Sequence, residues 1–422
     1  MKRSSVQAYI IIIIAALFYL YEFFIRVSPS VITNELMRDF HIHAGELGFL
    51  SSLFYYSYSA MQIPAGLLGD KYGPQKVLTI AACICSGSLF ILAYSKSANM
   101  IGVSRFLTGL ACSFGYIGPL MLARSWFPKE RFALITGIIQ TLGCLGATIG
   151  TGPISYLTTA YGWRMVVWVS ALFGIVLALL FLLIVRDHPS TATYKKSEPP
   201  HLSEYQRVRH VVKQPQTWIT GIIGFCFWSP IAVFAELWGV PFLMELHHTD
   251  AANVSPYIMW VWLGIAIGAP LIGWYSNYSA SRKKPIMLGF FLGLIASTGI
   301  VFWHPESALP MDILMVLFGI SASTMVITFG VVTDNNPLSV SGTAIGFNNM
   351  AVIVGATILQ PITGYLLNYF WDGKILDGYP IYGLDGYIIG FSILPLFSLI
   401  GMLFCYYGLK ETHCKKQYHV AK

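Results

Sequence analysis

The chain has 422 residues, of which 55% are hydrophobic and only 11% charged, with a formal net charge of +7. So few charges cannot cover the surface of a soluble protein of this length, and runs of about 20 apolar residues read as membrane helices. The runs are too continuous for the alternating strands of a membrane barrel, which leaves helices as the structure able to satisfy its backbone in lipid.

Twelve spans are predicted, at about 8–32, 46–69, 77–95, 99–122, 132–158, 164–185, 217–243, 255–276, 286–303, 312–332, 342–369 and 384–409. With the N-terminus in the cytosol, 20 of the 26 Lys and Arg fall in cytosolic segments. Four (Arg38, Lys96, Arg164, Lys374) fall outside and two lie within spans. That split follows the positive-inside rule and puts both termini in the cytosol. It accounts for the net charge, so no nucleic-acid partner is expected. The Met1-Lys2-Arg3 start precedes an apolar run too long for a signal peptide, with no small-residue cleavage site after it. The seven cysteines show no metal-like spacing and are expected as free thiols.

The first span carries Glu22 and Arg26, four residues apart and so on one helical face, with Tyr19 nearby. A charge in hydrocarbon is costly and is usually kept for substrate, ion coupling or an ion pair. Arg26 suits a carboxylate or phosphate, and Glu22 an amine or a proton. The alternative is that the two simply pair with each other.

The second span ends in Gly66-Leu-Leu-Gly69-Asp70-Lys71-Tyr-Gly73-Pro-Gln-Lys76. A carboxylate there can accept from backbone N–H groups at a neighbouring helix N-terminus. Such a contact would hold the cytosolic side shut, with Lys71 and Lys76 anchoring to lipid phosphate. The alternative is an ordinary tight turn. Arg105 opens the fourth span as a second anion ligand, or as a side chain reaching for the outer surface.

Residues 186–216 are polar, basic and proline-bearing and read as a cytosolic linker, with 205–213 as a short basic helix on the membrane surface. They separate an N-terminal six-helix bundle (1–185) from a C-terminal bundle and tail (217–422). The seventh span holds Trp228, Pro230 and Glu236. Phe225, Ser229, Ala232 and Glu236 share one face, which makes Glu236 a second proton-site candidate or an acid at the outer interface. Gly146-Ala-Thr-Ile149 recurs as Gly355-Ala-Thr-Ile358 at an offset of 209, and Gly66 and Asp70 align with Gly273 and Asn277 at an offset of 207. Two matches at nearly one offset indicate a duplication. Gln140 and Asn349 are equivalent at that offset and are expected to face each other across a central site.

Gly66-x-x-Gly69-Asp70-Lys71-x-Gly73-x-x-Lys76, followed by Arg105-Phe-Leu-Thr-Gly109, closely resembles the signatures of the major facilitator superfamily. The segment from Tyr21 to Leu36 resembles the phagosomal nutrient transporters of intracellular Gram-negative bacteria, which import amino acids or nucleosides, and also lysosomal dipeptide carriers. The resemblance implies an all-α membrane protein of twelve helices in two pseudo-symmetric bundles. It implies a monomer in a bacterial inner membrane, with alternating access to a small-molecule site. The expected function is proton-coupled import of a small polar nutrient such as an amino acid, short peptide or nucleoside. The expected substrate site is Tyr19, Glu22, Arg26, Arg105, Gln140, Trp228, Glu236 and Asn349. Glu22 and Glu236 are the proton carriers, and Gly66, Gly69, Asp70, Lys71, Gly73 and Lys76 form the gate. A drug or metabolite exporter is the alternative, though Gly152-Pro153 continues as Ile-Ser-Tyr-Leu and only partly matches the drug-antiporter signature. An organophosphate antiporter would use Arg26 and Arg105 but leave Glu22 without a task. No cofactor, metal or catalytic constellation is expected, and there is no nucleotide-binding loop.

Overall fold

In the computed structural model, residues 2–188, 203–305, 307–376 and 378–417 are described. The first half comprises α1 (Lys2–Val27), α2 (Thr33–Phe40), α3 (Ala44–Tyr72), α4 (Pro74–Ala93), α5 (Ala98–Cys112), α6 (Phe114–Trp126), α7 (Lys129–Tyr161) and α8 (Trp163–Leu183). The short α9 (Glu204–Lys213) follows. The second half comprises α10 (Pro215–Val233), α11 (Gly239–His247), α12 (Ala251–Tyr278), α13 (Lys283–Thr298), α14 (Ala308–Ser323), α15 (Val326–Asn335), α16 (Ser341–Tyr369), α17 (Leu384–Phe391) and α18 (Ile393–Leu403). A two-residue β-hairpin, Ile375–Leu376 with Tyr379–Pro380, caps one end.

Eleven segments among the described residues are long and apolar enough to cross a membrane. The remaining predicted span, 46–69, is α3, a 29-residue helix that does not meet that measure. Its sequence is dense in Ser, Tyr and Gly because it is packed between α5 and α16, so its neighbours are protein helices on both sides. Several spans are broken. Residues 114–126 continue α5 as α6 after a break at Ser113, and α14 passes to α15 at Thr324. Part of the expected linker, residues 189–202, lies outside the described residues. Ser203 caps α9 through a capping box with Gln206, and Val211 anchors α9 against Val332, Ala344 and Phe347.

The repeat is visible in packing. Gly109 of α5 lies against the backbone of Phe54 on α3, where a Cβ would collide with a carbonyl. In the second half Gly319 of α14 lies in the same way against Val261 on α12. Likewise Gly146 packs on Leu20 of α1, and its counterpart Gly355 packs on Ser229 of α10. The duplicated Gly-Ala-Thr-Ile segments therefore mark the same close helix approach twice.

At one end of the molecule lie the loops 71–76 and 282–284 and the C-terminal residues to 417, all rich in Lys and Arg; this is the basic end. Arg38 and Arg164 lie at the opposite end, both paired with Asp39.

Candidate functional site

A cavity of about 970 Å³ lies between the halves. From the first half it is lined by Tyr19, Phe23, Arg26, Tyr58, Tyr116 and Gln140, and from the second by Trp228, Phe329 and Asn349. Its remaining walls are residues 134–142 of α7, 266–270 of α12 and 345–353 of α16. These stretches run toward the basic end, so the cavity opens there.

The other end is sealed. Gly48 of α3 lies against the backbone of Gln360 and Pro361 on α16, and Gly364 of α16 against that of Ala44. The Ala44 N–H donates to the Tyr382 hydroxyl at 2.9 Å, and that hydroxyl donates to Asn368 Oδ1 at 2.9 Å. Gly152 of α7 seats Met259 of α12.

Arg26 Nη2 donates to Glu22 Oε1 in a buried ion pair one helical turn apart. The Arg26 guanidinium also lies over Phe23, Tyr58 and Phe54, 4.5, 4.9 and 5.5 Å from the ring centres. Its Nε has no partner among the described residues, nor does Glu22 Oε2. Gly115 of α6 leaves the room that Glu22 Oε2 occupies. Tyr19 donates to Gln140 Oε1 at 3.2 Å, and Asn349 Nδ2 donates across the halves to Gln62 Oε1 at 2.6 Å.

The structure thus brings Tyr19, Arg26, Gln140, Trp228 and Asn349 to the cavity wall, Gln140 from the first half and Asn349 from the second. Glu22, Glu236 and Arg105 stand behind that wall. Glu236 is buried on a π-helical turn, Phe234–Trp238, where the Gly239 N–H reaches back to Phe234 O, and it accepts from Tyr55. Arg105 is 5% exposed and does not reach the surface. Its Nη1 donates to Ile25 O at 3.2 Å and its guanidinium lies 4.8 Å from the Phe54 ring centre. It therefore caps the end of α1, where carbonyls lack helical partners and the dipole favours a cation. It lines a separate pocket of about 30 Å³ with Ser51, Ser104 and Thr108.

The gate residues lie at the basic end. Gly69 seats Met121, Gly73 takes a left-handed φ of 85°, and Asp70, Lys71 and Lys76 are exposed. Lys71 stacks on Tyr72, and nothing lies within 4 Å of a Cβ built on Gly66. Asp70 makes no hydrogen bond or ion pair among the described residues. The anion at the N-terminus of α4 is instead Asp187, whose Oδ1 accepts from Gln75 N at 2.7 Å. The second half matches this with Glu411, which accepts from the N–H groups of Arg282 at 2.8 Å and Lys283 at 3.0 Å. Neither cap was foreseen. The signal available was one acid just after the last span of each half.

These features define a secondary transporter, with two helical halves, a central, largely apolar cavity that carries one cation and a few polar groups and opens at one end, and a sealed opposite end. The chain belongs to the major facilitator superfamily, whose family model matches residues 11–360. It is 23% identical over 401 residues to the probable galactarate/D-glucarate transporter GarP of Escherichia coli K12, covering 87% of this chain and 90% of that one. It is 22% identical over 386 residues to the probable sulfoacetate transporter SauU of Cupriavidus necator, covering 87% and 89%. Among solved structures it resembles a bacterial homologue of the human lysosomal transporter Spinster in an inward-facing, unoccupied conformation. There the TM-score is 0.80 at 16% identity, over 98% of this chain and 99% of that one. The family and these relatives are transporters, not enzymes.

Proposed function

We propose that the protein is a proton-coupled importer of a small carboxylate-bearing nutrient, with amino acids and short peptides as the leading candidates. The observation that carries this is Arg26. Among the described residues it is the only charged side chain lining the cavity. One guanidinium suits one carboxylate. The hydroxyls of Tyr19 and Tyr58 and the amides of Gln140 and Asn349 supply further polar contacts, and the aromatic rings supply apolar surface.

The basic end is assigned to the cytosol by its charge, with both termini there and the chain acting as a monomer in a bacterial inner membrane. The conformation is then inward-open. Proton and substrate load from outside, Glu22 or Glu236 carries the proton, and the halves rock to release the load. The Asp70 contact belongs to the opposite state, closed at the basic end.

A second reading, an organic-anion carrier for sugar acids or sulfonates, is favoured by the names of the two relatives. Dianionic organophosphates fit less well, because the second cation, Arg105, is turned to the α1 carbonyl.

Uptake into proteoliposomes under an inside-alkaline pH gradient decides between them, using labelled amino acids, dipeptides, nucleosides, sugar acids and organophosphates. Accumulation of an amino acid or peptide, abolished by a protonophore, is the expected result. Accumulation of sugar acids alone would replace the first reading with the second. No accumulation of any class would overturn both in favour of export.

A further inference from the structure

Tyr55 lies on α3 of the first half and Glu236 on the π turn of the second. Both are 1% exposed, and the Tyr55 hydroxyl donates to Glu236 Oε2. This bond joins the halves and adds to the packing of α3 on α16. It is lost when α3 separates from the second half. The other carboxyl oxygen, Oε1, has no partner among the described residues.

The charged and titratable groups within electrostatic reach of Glu236 are Tyr55 on α3, Arg26 and Glu22 on α1, and Arg105 on α5. The Ser28–Val31 turn packed against it carries none. Arg26 bonds Glu22 and Arg105 bonds Ile25 O, and among the described residues no cation bonds Glu236 directly. Burying a carboxylate on a single neutral hydroxyl costs far more than burying the uncharged acid.

We propose that Tyr55 is the positioning residue through which the proton on Glu236 controls the outer gate: the seal forms over the neutral acid and loosens when it ionises. This rests on the reading of Glu236 as a proton site. The sequence of events is the one an importer needs. A proton taken from outside permits closure over the acid and opening inward. Its loss to the cytosol leaves a buried charge held by one hydroxyl, and the outer side reopens.

Hydrogen exchange on the purified full chain in lipid nanodiscs, without substrate, tests this. Exchange would be compared at about pH 5.5 and about pH 8, and corrected for the intrinsic pH dependence of exchange. Peptides covering 44–58 and 355–369 should exchange faster at the alkaline pH in the wild type. Tyr55→Phe should enlarge that alkaline excess, because the ionised acid then has no donor at all. Glu236→Gln should stay protected at both pH values.

A wild type without a pH response overturns the proposal. So does equal loosening of Tyr55→Phe at both pH values, which marks a structural tie alone. If Tyr55→Phe also loses protection in 74–93, far from the contact, the variant has unfolded and Glu236→Gln decides. Loss of its pH response supports the proposal, and retention overturns it. An intact pH response with no proton-driven uptake of any labelled compound would sink the import reading while supporting the gate.

Discussion

The two halves of this duplicated chain handle charge in opposite ways. Near the cavity, the first half buries a complete ion pair, Glu22 with Arg26, while the second buries a lone acid, Glu236, held by a hydroxyl from across the interface. At the basic end the roles reverse. The second half ties its loop down. Both halves cap a helix with an acid, Asp187 on α4 and Glu411 on α13, but in the second half Arg282 also pairs with Asp334 at 3.0 Å, Thr412 donates to Asp334 Oδ2 at 2.9 Å, and Gln417 N donates to Asp334 O at 2.8 Å. The first half leaves Asp70 exposed and uncommitted, where its counterpart is the neutral Asn277. The difference teaches where motion is to be sought. A group satisfied within its own half contributes to rigidity, whereas one that depends on the other half, or has no partner in this state, can distinguish one state from another.

The largest effect should come from breaking the complete pair. Arg26→Ala leaves Glu22 as an unpaired buried charge, which should cost about 3–5 kcal/mol in thermal or denaturant unfolding and abolish uptake. The double variant Glu22→Gln with Arg26→Met should recover stability without recovering uptake. A double variant as unstable as Arg26→Ala would show that the pair is not what fails.

Next, Glu22→Gln and Glu236→Gln should each fold and exchange substrate yet fail to concentrate it under a pH gradient. Accumulation at the wild-type ratio in both would remove carboxylates from the coupling.

On the proposed gating role, Asp70→Asn should slow turnover with little change in KM, whereas Asn277→Asp should leave turnover near wild type. Equal effects at the two positions would erase the asymmetry between the loops.

The smallest effect is a pH dependence at the tail. Burial opposes ionisation of Glu411, but the Arg282 N–H, the Ser281 hydroxyl and the N–H groups of Lys283 and His413 outweigh it and hold the carboxyl down to about 2. A carboxyl lowered on folding lends stability above its unfolded value of about 4.3, and that stability fades as pH falls toward about 2. Protection of residues 405–417 from exchange should therefore be constant above about pH 5 and decline below it, again within the reach of that one carboxyl. Glu411→Gln should show no such decline.

Much of the architecture was legible because it depends on local pattern. Apolar length gave eleven of the twelve predicted spans, and the placement of Lys and Arg in alternate loops gave the clustering seen at the basic end. A spacing of four put Glu22 and Arg26 on one face, where they meet. The repeat offset singled out Gln140 and Asn349, which both line one cavity. What escaped depends on the encounter of distant segments. Nothing local links Tyr55 to Glu236, which lie 181 positions apart. Arg105 reads as a ligand because a cation in a span is expensive. Its actual partner, the Ile25 carbonyl, is a backbone group with no sequence signature. Asp187 and Glu411 look like ordinary loop acids until the helix ends they cap are brought beside them.

The π turn at Phe234–Trp238 has a consequence for how the seventh span tolerates change in length. Its i→i+5 bond accommodates one residue more than regular α-helical turns would hold. Helical phase before Phe234 and after Trp238 is therefore offset. The face shared by Phe225, Ser229 and Ala232 does not by itself fix where Glu236 points. Deleting Ala235 would let the helix close into regular turns with both flanks keeping their faces, whereas the same deletion in a regular helix would swing one flank by about 100° relative to the other. An insertion that produced this turn in an ancestral helix would thus have re-aimed an acid without altering a single side chain.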